Sequence, residues 1–149
     1  MSKNIETQLQ DVLKKMLEAS SIKSAVIIDK NGLPITSIDK ETAKPLDNET
    51  EILTAGLGAS ILALATRSTD MYKHGILSKM LIDSENGQLI VKSAGQNALI
   101  LVNLPAGASL GITLLALNQA AEAIAKLPLS PKQPMKEKVD FSDLKIPTM

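Results

Sequence analysis

The sequence predicts an α+β domain in which a β-sheet is covered by helices on both faces, in the element order αββαβββα. Three segments carry the hydrophobic period of helices, and five short β-rich runs are joined by turn residues. The last of these runs, ALILVNL, is apolar at successive positions, so both faces of its sheet need cover. A length of 149 residues fits one such domain followed by a tail.

The first helix and the first hairpin follow from local patterns. Apolar side chains recur every three or four residues over 4–19, which predicts an amphipathic helix that Asn4 caps. Two β-rich runs then flank Asn31-Gly32, a pair that tolerates the positive φ angles of a tight hairpin turn. Pro34 cannot donate a ladder hydrogen bond, so we place it on a sheet edge or at the start of the second strand.

The second helix is predicted over 49–73, after a cap at Asp47 or Asn48. It carries two apolar stripes. The stripe of large residues comprises Leu53, Leu57, Ile61, Leu64 and Met71. The stripe of mostly small residues comprises Ile52, Ala55, Ala59, Leu62, Ala63 and Thr66. Because a surface helix of a small domain buries one stripe, a second stripe indicates deep burial or a partner against the small side chains.

The second half of the chain predicts a three-strand meander and a final helix. The runs ILSKMLID, QLIVKSAG and ALILVNL are separated by turns at 85–87 and 96–97. Ser109 caps a helix that ends near Leu127. We therefore expect a domain over 1–127 and a Pro-rich, flexible tail over 128–149, with the alternative of a docking peptide. Its apolar residues are Val139, Phe141 and Leu144.

Composition argues against several classes of function. The chain has 16 basic and 16 acidic residues, a single arginine and only one Tyr and one Phe, so it lacks the basic stripe and the stacking aromatics of nucleic-acid binders. The absence of cysteine fits a reducing compartment. The N-terminus has no continuous apolar core of the kind found in signal peptides, and we expect a cytoplasmic protein with no membrane span.

No pattern in the sequence predicts a catalytic, metal or cofactor site. His74 is the single histidine, and its place in YKHG suits the end of the long helix better than a general base. Gly56-Leu-Gly58 lacks the preceding strand and the lysine of a phosphate loop. The acidic residues near the start of the long helix lack the spacing of a calcium loop. These are Asp39, Glu41, Asp47, Glu49 and Glu51. We expect a protein that is not an enzyme.

The order of elements, together with several motifs, resembles the Roadblock dynein-light-chain superfamily. The motifs are IIDKNGLPITS, LGASILALA, ENGQLIVKSAG, ALILVNL and ASLGITLLALNQAAEAI, and the match covers about residues 4–127. The resemblance implies a five-stranded antiparallel sheet with the long second helix on one face and the first and last helices on the other.

The resemblance also implies a dimer in which the second helices lie side by side and the following strand pairs with its twin. The interface residues expected on the helix are Ile52, Ala55, Ala59, Leu62, Ala63 and Thr66, and those on the strand are Leu77, Lys79 and Leu81. The implied function is a homodimeric, non-catalytic regulator, GTPase-activating co-regulator or scaffold of a Ras-like small GTPase. The alternatives are a structural adaptor that tethers without a GTPase partner, and a small-ligand sensor.

Overall fold

The computed structural model of the protein describes residues 2–129 and contains three helices and five strands. Their bounds are α1 Ser2–Glu18, β1 Ser24–Asp29, β2 Pro34–Asp39, α2 Asn48–Met71, β3 Lys79–Ser84, β4 Gly87–Ser93, β5 Ala98–Pro105 and α3 Leu110–Ala125. The predicted element order is confirmed. Most of the predicted tail, with Val139, Phe141 and Leu144, lies outside the described residues.

The strands form one antiparallel sheet in the order β2-β1-β5-β4-β3. α1 and α3 pack against each other on one face of the sheet, and α2 packs on the opposite face. β5 lies at the centre and is buried along most of its length, as its continuous apolar run predicts. The predicted fold, a five-stranded antiparallel sheet covered on both faces, is confirmed.

The β1–β2 hairpin turns at the predicted Asn31-Gly32 pair, but only Gly32 takes a positive φ, and residues 30–33 link the two strands. The buried Asp29 carboxylate accepts hydrogen bonds from the backbone N–H groups of Asn31 (2.8 Å) and Leu33 (3.0 Å). Gly32 adopts φ +85°, a conformation that glycine reaches without strain. Pro34 begins β2, which is an edge strand, so its missing N–H costs the sheet little.

Two separate apolar cores lie on the two faces of the sheet. The larger one, between the sheet and the α1–α3 pair, includes Leu9, Leu13, Ile27, Ile100, Leu117 and Ile124. The smaller one, beneath α2, consists of Val26, Ile28, Ala55, Val91, Leu99 and Leu101. Alternate residues of β1 and β5 thus enter opposite cores, because successive side chains of a strand point to opposite faces.

The ends of α2 agree with the prediction at the N-terminus and differ at the C-terminus. Asp47 is the cap, and its carboxylate accepts from the Thr50 N–H at 3.1 Å. The side-chain and backbone hydrogen bonds from Thr50 lower the pKa of Asp47 below its usual range. At the other end, Lys73 takes the left-handed conformation (φ 58°), and the backbone N–H of His74 donates to Thr69 O at 2.9 Å. The helix therefore ends at Met71, two residues before the predicted end at 73.

The chain remains attached to the domain slightly beyond α3. Leu127 and Leu129 pack against the larger core. The Asn97 side-chain amide donates to Leu129 O at 3.3 Å. Residues 128 and 129, which the sequence assigns to the tail, are therefore held beside the β4–β5 turn.

Candidate protein interaction surface

The residues of α2 that are buried against the sheet are small, and Ile61 and Leu62 pack beside them. Within the helix only Ala55, Gly58 and Ala65 are buried. A Cβ added at Gly58 would lie 2.7 Å from Ile28 Cδ1 and 3.3 Å from Leu101 Cδ1. The small residues therefore let the helix backbone come close to β1 and β5.

The opposite side of α2 leaves a long row of large apolar side chains in water. Its members are between 58% and 76% exposed: Ile52, Leu53, Leu57, Leu64 and Met71. Monomeric proteins rarely leave contiguous apolar surface of this kind uncovered, and complete burial of one such side chain contributes about 1.5–3 kcal/mol. We call this row, with the residues between its members, the outer face of α2.

Gly56 lies on the outer face, and no contact within its own subunit requires a glycine at this position. A Cβ at this position would meet nothing within 4 Å. Glycine inside a helix costs about 1 kcal/mol relative to alanine. Together with the exposed Ala63 nearby, it leaves a shallow region where another backbone can approach closely.

The structure divides the interface residues that the sequence assigned to α2. Ala55 is fully buried in the smaller core of its own subunit, so its assignment to a partner contact is wrong. Leu62 packs against the same core and Ala59 is half-buried. Ile52, Ala63 and Thr66 are exposed, and their contact with a second chain stays a prediction. The outer face combines Ile52 of the stripe of mostly small residues with large residues that the sequence analysis placed in the other stripe, Leu53, Leu57, Leu64 and Met71.

β3 supplies a second open surface beside α2. It is the last strand of the sheet, so one edge pairs with β4 and the other has no strand beside it in residues 2–129. Lys79 and Leu81 are exposed and Leu77 is half-buried, and their contact with a second chain also stays a prediction. A shallow hollow joins the end of α2 to the start of β3. It is lined by Thr66, Asp70, Gly75, Ile76, Leu77 and Ser93.

Polar side chains of β2 and α2 join these two elements. Ser37 Oγ donates to Glu51 Oε2 (2.5 Å) and accepts from the Leu46 N–H (2.9 Å), which fixes the start of α2 to β2. Residues 2–129 contain no group of three or more His, Asp or Glu side chains placed to hold a metal ion. Gly56 and Gly58 lie within α2, so they form no phosphate-binding loop.

The apolar character of α2 also meets a membrane criterion. Among the described residues it is the one helix long and apolar enough to cross a membrane. In this fold the helix covers Val26, Ile28 and Leu101, and a crossing would expose that core. The packing therefore favours a partner that covers only the outer face.

Comparison with known proteins identifies the domain. A family model for the Roadblock/LC7 domain matches residues 8–103. Two uncharacterised proteins of Methanocaldococcus jannaschii are also similar. MJ1340 is 26% identical over 113 residues, covering 76% of this chain and 93% of the relative. MJ0714 is 24% identical over 120 residues, covering 80% of this chain and 96% of the relative.

Solved structures share the same fold. An MglB described as having a tetrameric arrangement has a TM-score of 0.73 and 24% identity, covering 81% of this chain and 88% of that one. The gliding protein MglB from Thermus thermophilus has a TM-score of 0.72 and 22% identity, with coverages of 81% and 88%. A Roadblock/LC7 domain from Streptomyces avermitilis has a TM-score of 0.70 and 14% identity, with coverages of 77% and 92%. Because the family model spans more than half of the chain, the protein belongs to the Roadblock/LC7 family.

Proposed function

We propose that the protein is a non-catalytic, dimeric regulator or scaffold of a Ras-like small GTPase in the cytoplasm. The observation that carries the proposal is the uncovered outer face of α2 in a member of the Roadblock/LC7 family. The resemblance to the Roadblock dynein-light-chain superfamily supports the GTPase as partner. The lack of cysteine suits a reducing compartment.

The proposed dimer has a two-fold axis perpendicular to the sheet. Such an axis pairs the open edge of β3 with the same edge of a second copy, in antiparallel orientation. It also keeps both α2 helices on one side of the extended sheet, where their outer faces can cover each other. Both exposed features of the monomer are thereby covered in a single assembly.

Symmetry restricts the register of the β3 pair. Residues opposite each other must point to the same face, so the sum of their numbers is even. When Leu81 lies opposite its own copy, Lys79 lies opposite the partner subunit's Asp83, and the reverse pair forms at the other end. Lys79 and Asp83 are both exposed on the face that carries Leu81. This register therefore supplies two cross-strand ion pairs.

The proposed activity uses surface rather than a reaction centre. A regulator of this kind binds one nucleotide state of the GTPase more tightly than the other, and that difference in affinity shifts the GTPase toward the bound state. It needs no nucleophile or metal ion of its own.

A binding experiment tests the proposal directly. Small GTPases encoded in the same genome are loaded with GDP or a non-hydrolysable GTP analogue and titrated with the full-length protein by calorimetry. We expect one GTPase to bind with a preference for one nucleotide. Binding to none of them, or equal binding to both nucleotide states, contradicts regulation and favours an adaptor.

Two arginine variants connect binding to the dimer. Leu64→Arg places a charge on the outer face of α2, where a dimer would bury it without a partner. Leu115→Arg introduces the same charge at a similarly exposed leucine of α3. We expect light scattering to show a monomer only for Leu64→Arg, with loss of GTPase binding. A dimer that persists in Leu64→Arg would refute the role of the outer face.

A further inference from the structure

The α1–α3 pair leaves a narrow apolar groove on the face of the sheet opposite α2. The groove is lined by Val12, Met16 and Ala19 of α1 and by Ala116, Ala120 and Ala123 of α3. Its volume is about 170 Å³. The alanines of α3 are too short to fill the space between the helices, and four of the lining residues belong to or border the larger core.

The size of the groove indicates what it can hold. Pockets for drug-sized ligands measure about 300–1,000 Å³, so this groove is too small for most cofactors or metabolites. It is suited to one or two large apolar side chains. The aromatic side chains of the protein are Tyr72, exposed beyond the end of α2, and Phe141, outside the described residues.

We propose that Phe141 fills this groove in its own subunit, with Val139 and Leu144 packed at its rim. The described chain ends at Leu129, which packs against the same core that forms the floor of the groove. The groove residues of α3 lie within about 15 Å of the end of that helix at Ala125, at 1.5 Å per residue. Phe141 follows Leu129 by about twelve positions, and a segment of that length spans up to about 40 Å when extended, which is ample for the return.

Charge also favours this segment. Asp140 and Asp143 flank Phe141, and the segment Val139–Leu144 has a net charge of −2 from these two carboxylates, with Lys138 and Lys145 on either side of it. Lys15 lies on the α1 side of the groove, and no acidic residue lines it. The charged residues nearest to Lys15 along α1 are Asp11, Lys14 and Glu18, all exposed. A carboxylate beside Phe141 would therefore meet Lys15 at the rim.

A spin-label experiment on the full chain tests the docking. The protein has no cysteine, so Ser142→Cys creates a single attachment site for a nitroxide. In a ¹⁵N-labelled sample we expect loss of amide signal intensity at Val12, Met16 and Ala120, relative to the same sample after reduction of the nitroxide. The amides of Leu57 and Leu64, on the other side of the sheet, should keep their intensity.

Matched variants distinguish specific docking of Phe141 in the groove from random encounters of the spin label with the domain. Phe141→Ser and the groove variant Ala123→Glu should each restore the signals at Val12 and Met16, whereas Ile146→Ser, outside the motif, should not. Broadening that survives Phe141→Ser, or that is spread evenly over the domain, overturns the proposal.

A mixed sample assigns the docking to one subunit. A ¹⁵N-labelled chain without cysteine is combined with an unlabelled, spin-labelled chain. Docking within the subunit predicts no broadening in this mixture. Broadening that appears only in the mixture shows docking onto another copy and contradicts the proposal.

Discussion

Gly56 and Gly58 lie two residues apart on α2 but face different surroundings. Gly58 is buried, and a Cβ there would be 2.7 Å from Ile28 Cδ1. Gly56 is exposed, with nothing within 4 Å of its added Cβ. Packing within the subunit therefore requires a glycine at position 58 but not at position 56.

We expect Gly58→Ala to lower the free energy of unfolding by about 1 kcal/mol, because overpacking costs about 1–3 kcal/mol and the gain in helix propensity returns about 1. Ile28 is fully buried, so its side chain has little room to move away. Gly56→Ala should raise the same quantity by up to about 1 kcal/mol in the monomer. Urea unfolding of both variants in the Leu64→Arg background measures these effects without a contribution from dimerisation. Equal effects at the two positions would contradict this account of α2 packing.

A glycine within a helix indicates that another element packs closely on it, because glycine there costs about 1 kcal/mol relative to alanine. At Gly58 the neighbours are Ile28 and Leu101 of the sheet. A helix and a strand that pack closely on a helix both favour a glycine there. The sequence therefore does not show which element contacts a glycine within a helix, and the fold does.

Among the elements, α2 depends on a charged cap. Hydrogen bonds from Thr50 lower the pKa of Asp47 below its usual value of 3.8. A lowered pKa in the folded state means that the cap stabilises the helix above the unfolded-state value and that this stabilisation is lost as pH falls through the folded-state pKa. The N-terminus of α2 should therefore loosen below about pH 4, in the range where carboxyls ordinarily titrate.

The Thr50 amide chemical shift, followed by NMR during acid titration, measures this loss. Asn caps helices about as well as Asp but does not titrate, so Asp47→Asn should keep the cap and flatten the pH response of Thr50. Asp47→Ala should remove the cap at every pH. A Thr50 response in Asp47→Asn equal to that of the natural chain would show that another group controls this end of the helix.

The open edge of β3 gives a prediction about pairing. Lys79→Asp places an aspartate opposite the partner subunit's Asp83 at both ends of the proposed β3 pair, and Asp83→Lys places two lysines together. Each single change should weaken the dimer about tenfold by analytical ultracentrifugation, and the double exchange should largely restore it. In the monomer, Gln88 Nε2 donates to Asp83 Oδ1 at 3.1 Å, so the thermal stability of each variant is measured as a control for the fold. A double exchange as weak as the single changes would exclude this register.

Turns and caps are largely predictable from the sequence because a few neighbouring residues determine them, as Gly32, Asp47 and Ser109 show. The cap predicted at Asn4 is wrong, because α1 already begins at Ser2. The sequence does not predict which of the two apolar stripes of α2 faces the sheet. Ala55 belongs by composition to the small stripe, yet it is buried against the sheet, while Leu57 and Leu64 are exposed. Hydrophobic periodicity shows that two faces of α2 are apolar. The face with small residues packs on the sheet because it lets the helix backbone come close to the strands, and this is seen only in the fold.

At the scale of the whole molecule, the outer face of α2 and the open edge of β3 lie on the part of the monomer that its own helices leave uncovered. α1 and α3 shield the opposite face of the sheet, and α2 covers the smaller core but leaves its own large side chains in water. One two-fold contact can cover both features. Stability should then depend on association as well as on folding.

Because a partner copy that binds the folded state stabilises it by mass action, the midpoint of thermal unfolding should rise with protein concentration. For a dimer of this size a tenfold increase is expected to raise Tm by about 2–3 °C, because the unfolding enthalpy of both subunits enters the dependence. Differential scanning calorimetry over a hundredfold range of concentration measures the slope. Leu64→Arg should unfold at a lower temperature that does not change with concentration, whereas Leu115→Arg should keep the slope. A concentration-independent Tm in the natural chain would mean that the outer face of α2 stays open to water or takes a partner other than a second copy.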